Sequence, residues 1–151
     1  MIETNLRLVL DTDVVVAGFR SDRGASRQIL LAALERQFVI LVSVPLMLEY
    51  ESVLTRPEQM SETGLTAEET DAVLDALSAV IEPVQLRFLW RPKLKDPTDE
   101  MVLETAFNGH ADCLVTFNTR HLKEAAGELG VRVATPGEIW REMRGGKSET
   151  K

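Results

Sequence analysis

A parallel β-sheet covered by helices on both faces, an α/β fold, is what this chain predicts, on three observations. Apolar runs of strand length recur and are continuous rather than alternating: "LRLVL" at 6–10, "FVILVSV" at 38–44, "DCLVTF" at 112–117 and "VRVAT" at 131–135. Segments with helical spacing stand between them, so the order reads strand, helix, strand, helix. Polar residues gather just past the ends of the runs, and in open α/β sheets ligands bind outside the carboxyl ends of the strands. Continuous Val/Ile/Leu strands belong in sheets buried on both sides.

Each element has its own warrant. After the first strand, "ASRQILLAALERQ" places Ile29, Leu30, Ala33 and Leu34 on one helical face. Following the second strand, Ser43 or Pro45 starts a helix through "PLMLEYESVLT". In "TAEETDAVLDALSAVI" (66–81), Thr66 is a cap with Glu69 three residues on, the signature of a capping box. "VQLRFLW" at 84–90 reads as a short edge strand. "DPTDEMVLETAFNG" has cap Asp96, Pro97 at the first helical position and Gly109 as a stop. "PGEIWREMR" is the last helix, with Trp140 read as a core or interface residue.

At 151 residues the chain is of single-domain size. Residues 1–144 are expected to form one domain and 145–151, in "RGGKSETK", a flexible tail. No apolar run reaches the roughly 18 residues of a membrane span, and the N-terminus lacks a basic start, so a cytoplasmic protein without membrane contact is expected. The single Cys113 leaves no intramolecular disulfide or cysteine-based zinc cluster and reads as a buried small hydrophobe. A formal net charge of −7 disfavours broad adhesion to nucleic acid. A nucleic-acid ligand must then be held locally, by metal ions or a basic patch.

The chemistry-bearing residues come from separated segments. Asp11 ends the first strand, with Asp13 two residues on; Asp99 lies in the first turn of its helix; Thr116 and Asn118 end the "CLVTF" strand; Glu49 falls in the second turn of the helix after "FVILVSV". Two carboxylates about 4 Å apart repel by about 4 kcal/mol at an effective dielectric of 20, so such a cluster is costly until a cation joins it. Oxygen donors without a histidine at these positions favour Mg²⁺ or Mn²⁺ over zinc.

These residues resemble a family. "VLDTDVVVAGF", Glu49 within "PLMLEYESVLTRP", "KDPTDEMVLETAFNGHADCLVTFNTRHL" and "VRVATPGEIW" are similar to the PIN domain, and within it to the VapC-like toxins of toxin–antitoxin loci. The resemblance spans residues 7 to about 143. It implies a three-layer α/β/α sandwich with a central, mainly parallel sheet. It also implies a metal-dependent endoribonuclease, a cognate antitoxin and a homodimer. By the same resemblance Asp11, Glu49 and Asp99 match the family's first three acids as catalytic and metal-binding residues, with Asn118 where a fourth acid often stands. Asp13 occupies a position that is usually Asn and adds a charge that could bind metal; Asp96 is an outer-sphere ligand or simply the cap. The implied mechanism uses one cation at Asp11 and Asp99 to activate water, with a second, more weakly held near Glu49 and Asn118. Thr12 and Thr116 would hydrogen-bond a ligand carboxylate or the phosphate.

For each residue a plainer role stands beside the catalytic one: caps for Asp11, Asp13 and Asp96, a solvated helix charge for Glu49, a helix-dipole charge for Asp99 and a turn for Asn118. His110 and His121 read as polar loop residues. Arg87, Trp90, Arg91, Lys93 and Lys95 in "RFLWRPKLK" form one candidate RNA patch, and Arg20, Arg23 and Arg27 a second.

Two competing functions remain open. "DTDVV" also resembles the motif of haloacid-dehalogenase-like phosphatases, with Asp11 as nucleophile and Asp13 as acid/base. That fold needs a Lys and a late acidic pair; "VRVATPGE" supplies no such pair, and Glu49 would have no role. The other competitor is a PIN-like binding module without turnover, supported by the missing fourth acid. The stretch 66–81, with Val73, Leu74, Leu77, Val80 and Ile81, would suit a dimer, an antitoxin helix or the core.

Overall fold

The structure is a computed structural model that describes residues 6–20, 24–88 and 96–149. Five strands, β1 (Arg7–Leu10), β2 (Val39–Ser43), β3 (Ile81–Val84), β4 (Cys113–Val115) and β5 (Val133–Ala134), form one sheet in the order β3-β2-β1-β4-β5. Every pairing is parallel. The central strands are buried on both faces: Leu8, Val9, Leu10, Ile40, Leu41, Val42, Cys113, Leu114 and Val115 are all in the core. The continuous apolar runs thus find the setting that continuous apolar strands require.

Among the described residues eight helices flank this sheet: α1 (Thr12–Arg20), α2 (Ala25–Leu34), α3 (Val44–Leu54), α4 (Pro57–Thr63), α5 (Ala67–Val80), α6 (Pro97–Asn108), α7 (Thr119–Glu128) and α8 (Pro136–Glu149). The sandwich is the α/β architecture expected. α3 starts after Ser43, whose hydroxyl accepts from the Leu46 N–H and also bonds the buried Thr105 hydroxyl of α6 at 2.7 Å. In α5 both halves of the Thr66/Glu69 capping box form, at 3.0 and 2.9 Å. Leu74 and Leu77 are buried in the chain's own core, which accounts for the centre of the apolar stripe at 66–81. α8 continues to Glu149, past the start of the expected tail.

The edge strand is corrected. It lies at Ile81–Val84 rather than within 84–90, with Ile40 opposite Ile81 and Ser43 opposite Val84. α5 stops at Val80 and the chain passes directly into β3. Pro83 is tolerated because β3 pairs on one side only, so a missing N–H can face the open edge. Trp90, Arg91, Lys93 and Lys95 lie outside the described residues, as does Arg23. Cys113 is buried and free, with its thiol pushed up to about 11 mainly by desolvation, consistent with the packing role expected.

Gly109, expected as a helix stop, also lets α6 sit close to the sheet. A Cβ there would come 2.9 Å from Val84 Cγ2, 3.0 Å from the Thr105 carbonyl and 3.1 Å from Leu41 Cδ1. Gly109→Ala is therefore expected to destabilise the protein by about 1–3 kcal/mol through overpacking, measured as a lower urea midpoint. An unchanged midpoint would show that this contact relaxes freely.

Candidate active site

The strand order reverses direction at β1, whose neighbours are β2 and β4, and a crevice opens at such a switch point beyond the carboxyl ends of the strands. Asp11 occupies that position. Its backbone continues the sheet by donating to the Val115 carbonyl at 2.9 Å, while its own carbonyl accepts the first N–H groups of α1, from Val14 and Val15. Only 4% of Asp11 is exposed. Oδ1 accepts from the Thr12 backbone N–H at 2.8 Å, and Oδ2 accepts from the Thr116 hydroxyl at 2.7 Å. Thr116 is itself fully buried and accepts from the Asn118 N–H at 3.0 Å.

Electrostatics identify the neighbours of Asp11. Its pKa is raised from 3.8 to about 6, first by desolvation and further by the charges of Asp13 and Asp99, against the lowering pull of its two hydrogen bonds. Asp99, in the first turn of α6, is also raised: burial is the largest cause, Asp96 and Asp13 add to it, and His121 opposes it. Asp11, Asp13, Asp96, Asp99 and His121 therefore share one field. Glu49 joins from α3, accepting a long 3.4 Å hydrogen bond from the hydroxyl of Thr98, the residue beside Asp99.

The plainer roles find their places too. Asp96 caps α6, accepting from the Thr98 N–H at 2.9 Å, while Asp13 is exposed in the first turn of α1. Asn118 stands at the N-cap of α7 without a side-chain cap bond. Among the described residues the buried Thr12 hydroxyl has no hydrogen-bond partner; its backbone, not its side chain, holds Asp11. His121 lies in a helix rather than a loop, and its influence opposes the rise of the Asp99 pKa. Arg20 is paired with Glu62 of α4 at 2.8 Å, and Arg27 donates to the Gly18 and Phe19 carbonyls at the end of α1. The Arg87 backbone is fastened by the Asn108 side chain, nine residues beyond Asp99 and so about 14 Å along α6.

One anchor escaped the sequence reading. Tyr50, next to Glu49, is wholly buried and its hydroxyl donates to the Leu10 carbonyl at 2.5 Å, tying α3 to the end of β1. Being the chain's single tyrosine, within the apolar stripe of Leu46, Val53 and Leu54, it was the available signal. Tyr50→Phe is expected to cost about 1–2 kcal/mol by leaving the Leu10 carbonyl unpaired, and to weaken activity through a looser Glu49. Equal stability and equal activity in the variant would remove this role.

The donor set suits a hard divalent cation, since every candidate ligand is an oxygen. Asp11 and Asp99 each carry a pKa raised partly by neighbouring carboxylates, the strain that a cation relieves. Among the described residues no group of three or more His, Cys, Asp or Glu is placed to hold a metal ion by itself; the acids are electrostatic neighbours.

Comparison with known proteins agrees with this architecture. The PIN domain family model matches residues 7–120, and the chain belongs to the PIN domain family. Domains of this family are generally nucleases and generally use divalent metals. Among solved structures, a chain in the crystal structure of VapBC2 from Rickettsia felis bound to a DNA fragment from their promoter superposes with a TM-score of 0.58 at 14% identity. The match covers 86% of this chain and 98% of that one, a likeness of fold. No curated protein matches the chain. Membership in the PIN domain family sets the phosphatase alternative aside.

Proposed function

We propose that the protein is a Mg²⁺- or Mn²⁺-dependent endoribonuclease that acts as the toxin of a toxin–antitoxin pair. The observation that carries this reading is the buried Asp11 at the sheet's switch point, whose pKa is raised by desolvation and by the charges of Asp13 and Asp99. Asp11 and Asp99 would hold the cation, with Glu49 and Asn118 at the margin and Asp13 and Asp96 in the surrounding field. When bound, the cation supplies Lewis-acid polarisation of a phosphodiester and a more acidic water. The chain's own residues orient the acids: Thr116 and the Thr12 backbone fix Asp11, and Thr98 steadies Glu49. A protein partner of the antitoxin kind is part of the proposal, supported by the fold shared with a chain of the VapBC2 structure. A homodimer and a cytoplasmic setting belong to the same proposal. Among the described residues no helix is long and apolar enough to cross a membrane.

The test is cleavage of a panel of structured RNAs by purified protein with Mn²⁺, Mg²⁺ or EDTA, beside a generic phosphomonoester. Metal-dependent RNA cutting is expected. Intact RNA with every metal, in protein shown to be folded, would transfer the reading to a binding module.

A further inference from the structure

Phe117 stands at the catalytic edge without a role in holding the acids. It is 51% exposed, although the four residues before it, Cys113 to Thr116, are buried. Its backbone is fixed relative to Asp11 from both sides: Thr116 donates to Asp11 and the Asn118 N–H donates back to Thr116. Across the site, Val44 follows β2 and is 71% exposed. β1 lies between β2 and β4, so Asp11 at the end of β1 stands between the strands that lead into Val44 and Phe117. Arg120 and His121, both exposed, follow in the first turn of α7, which carries no acid. The flank formed by residues 117–121 thus offers an aromatic ring, one guanidinium and an imidazole, whereas the floor is acidic.

Single exposed apolar side chains are ordinary on protein surfaces. The company of Phe117 is not: Thr116, which bonds Asp11, is its immediate neighbour, and the Arg120 guanidinium and the His121 imidazole follow within four residues. An aromatic face beside cationic groups is the combination that stacks a nucleobase while its phosphates are neutralised. We infer that Phe117 is a specificity-determining residue of the proposed nuclease, stacking on the base next to the phosphate over Asp11 and favouring a purine there. Purines offer the larger π surface, and modest base preferences in single-strand binding follow stacking strength. The inference rests on the nuclease reading for the reaction, but the stacking itself is measurable without turnover.

The experiment compares binding of fluorescein-labelled 12-nucleotide RNAs, oligo(A), oligo(U) and an abasic strand, with Ca²⁺ as the ion, to wild type, Phe117→Ala and Phe117→Trp. Wild type is expected to bind oligo(A) most tightly and the abasic strand most weakly. Phe117→Ala should weaken oligo(A) binding about tenfold, one stacked base by the usual truncation scale, and bring the three ligands to similar affinity. Phe117→Trp should preserve the order. Because Phe117 lies outside the core, all three proteins should melt together. In cleavage with Mn²⁺, Phe117→Ala should raise KM with little change in kcat. Equal binding by wild type and Phe117→Ala, an equal loss on the abasic strand, or no wild-type preference for oligo(A) over the abasic strand would overturn the inference. The expected binding order without cleavage of any RNA in Mn²⁺ would overturn the nuclease reading alone and support the stacking role.

Discussion

Asp11→Asn is expected to abolish RNA cleavage, by at least about a thousandfold, and at the same time to raise the melting temperature of the metal-free protein at pH 7. Both effects come from one buried carboxylate. Its charge is what a divalent cation needs, and removing a ligand at a site of transition-state charge stabilisation costs orders of magnitude in rate. The same charge is held against desolvation and against Asp13 and Asp99, which places its folded pKa at about 6 against 3.8 for the ordinary group. Between those two values the native state keeps a proton that the unfolded chain has released. Stability without metal is therefore full below about 3.8, falls as pH rises through the window and stays low above about 6. The loss amounts to about 3 kcal/mol at 1.36 kcal/mol per pKa unit. Asparagine escapes it. Thr116 can accept from the new amide through its second lone pair, so a gain of about 5 °C at pH 7 in EDTA is reasonable for a domain of this size. A melting temperature that fell in EDTA, or a wild-type melting curve flat from pH 4 to 7, would show that Asp11 is not strained.

Asp99→Asn is expected to reduce cleavage at least about a hundredfold and to move the titration of Asp11 downward, because one of the like charges that raise it is gone. The second effect separates a shared site from two unrelated acids. It is read directly by NMR titration of the Asp11 carboxyl carbon in the metal-free protein. The helix contribution of Asp99 near the N-terminus of α6 is only about 0.3–1 kcal/mol, and relief of repulsion offsets it, so the fold should persist. Wild-type activity, or an unmoved Asp11 titration, would separate Asp99 from the site.

What the sequence made legible is what local rules govern. Asp11 and Thr116 were readable as strand-end residues because carboxyl ends of parallel strands face one edge, and Asp96, Pro97 and Gly109 were readable because caps act over three or four positions. β3 was hidden because Pro83 argues against a strand unless the strand is known to be an edge. α4 buries no residue and α7 only Leu122 and Ala126, so neither carried an apolar run long enough to stand out. Tyr50 on the Leu10 carbonyl and His121 near Asp99 are long-range encounters that only topology creates. The charged pairing of Arg20 with Glu62 likewise shows in structure alone that a candidate RNA contact already has a partner.

The hydrogen bond from Thr116 to Asp11 joins residues 105 positions apart in the chain. β1 is made before β4 and waits for it, so the floor of the site closes only after the intervening helices and strands exist. A chain emerging from the ribosome carries Asp11 long before it carries the hydroxyl that aims it or the helix that brings Asp99. Contacts so distant in sequence also form late in folding. A growing chain thus lacks the assembled site until β4 has been made and has paired with β1.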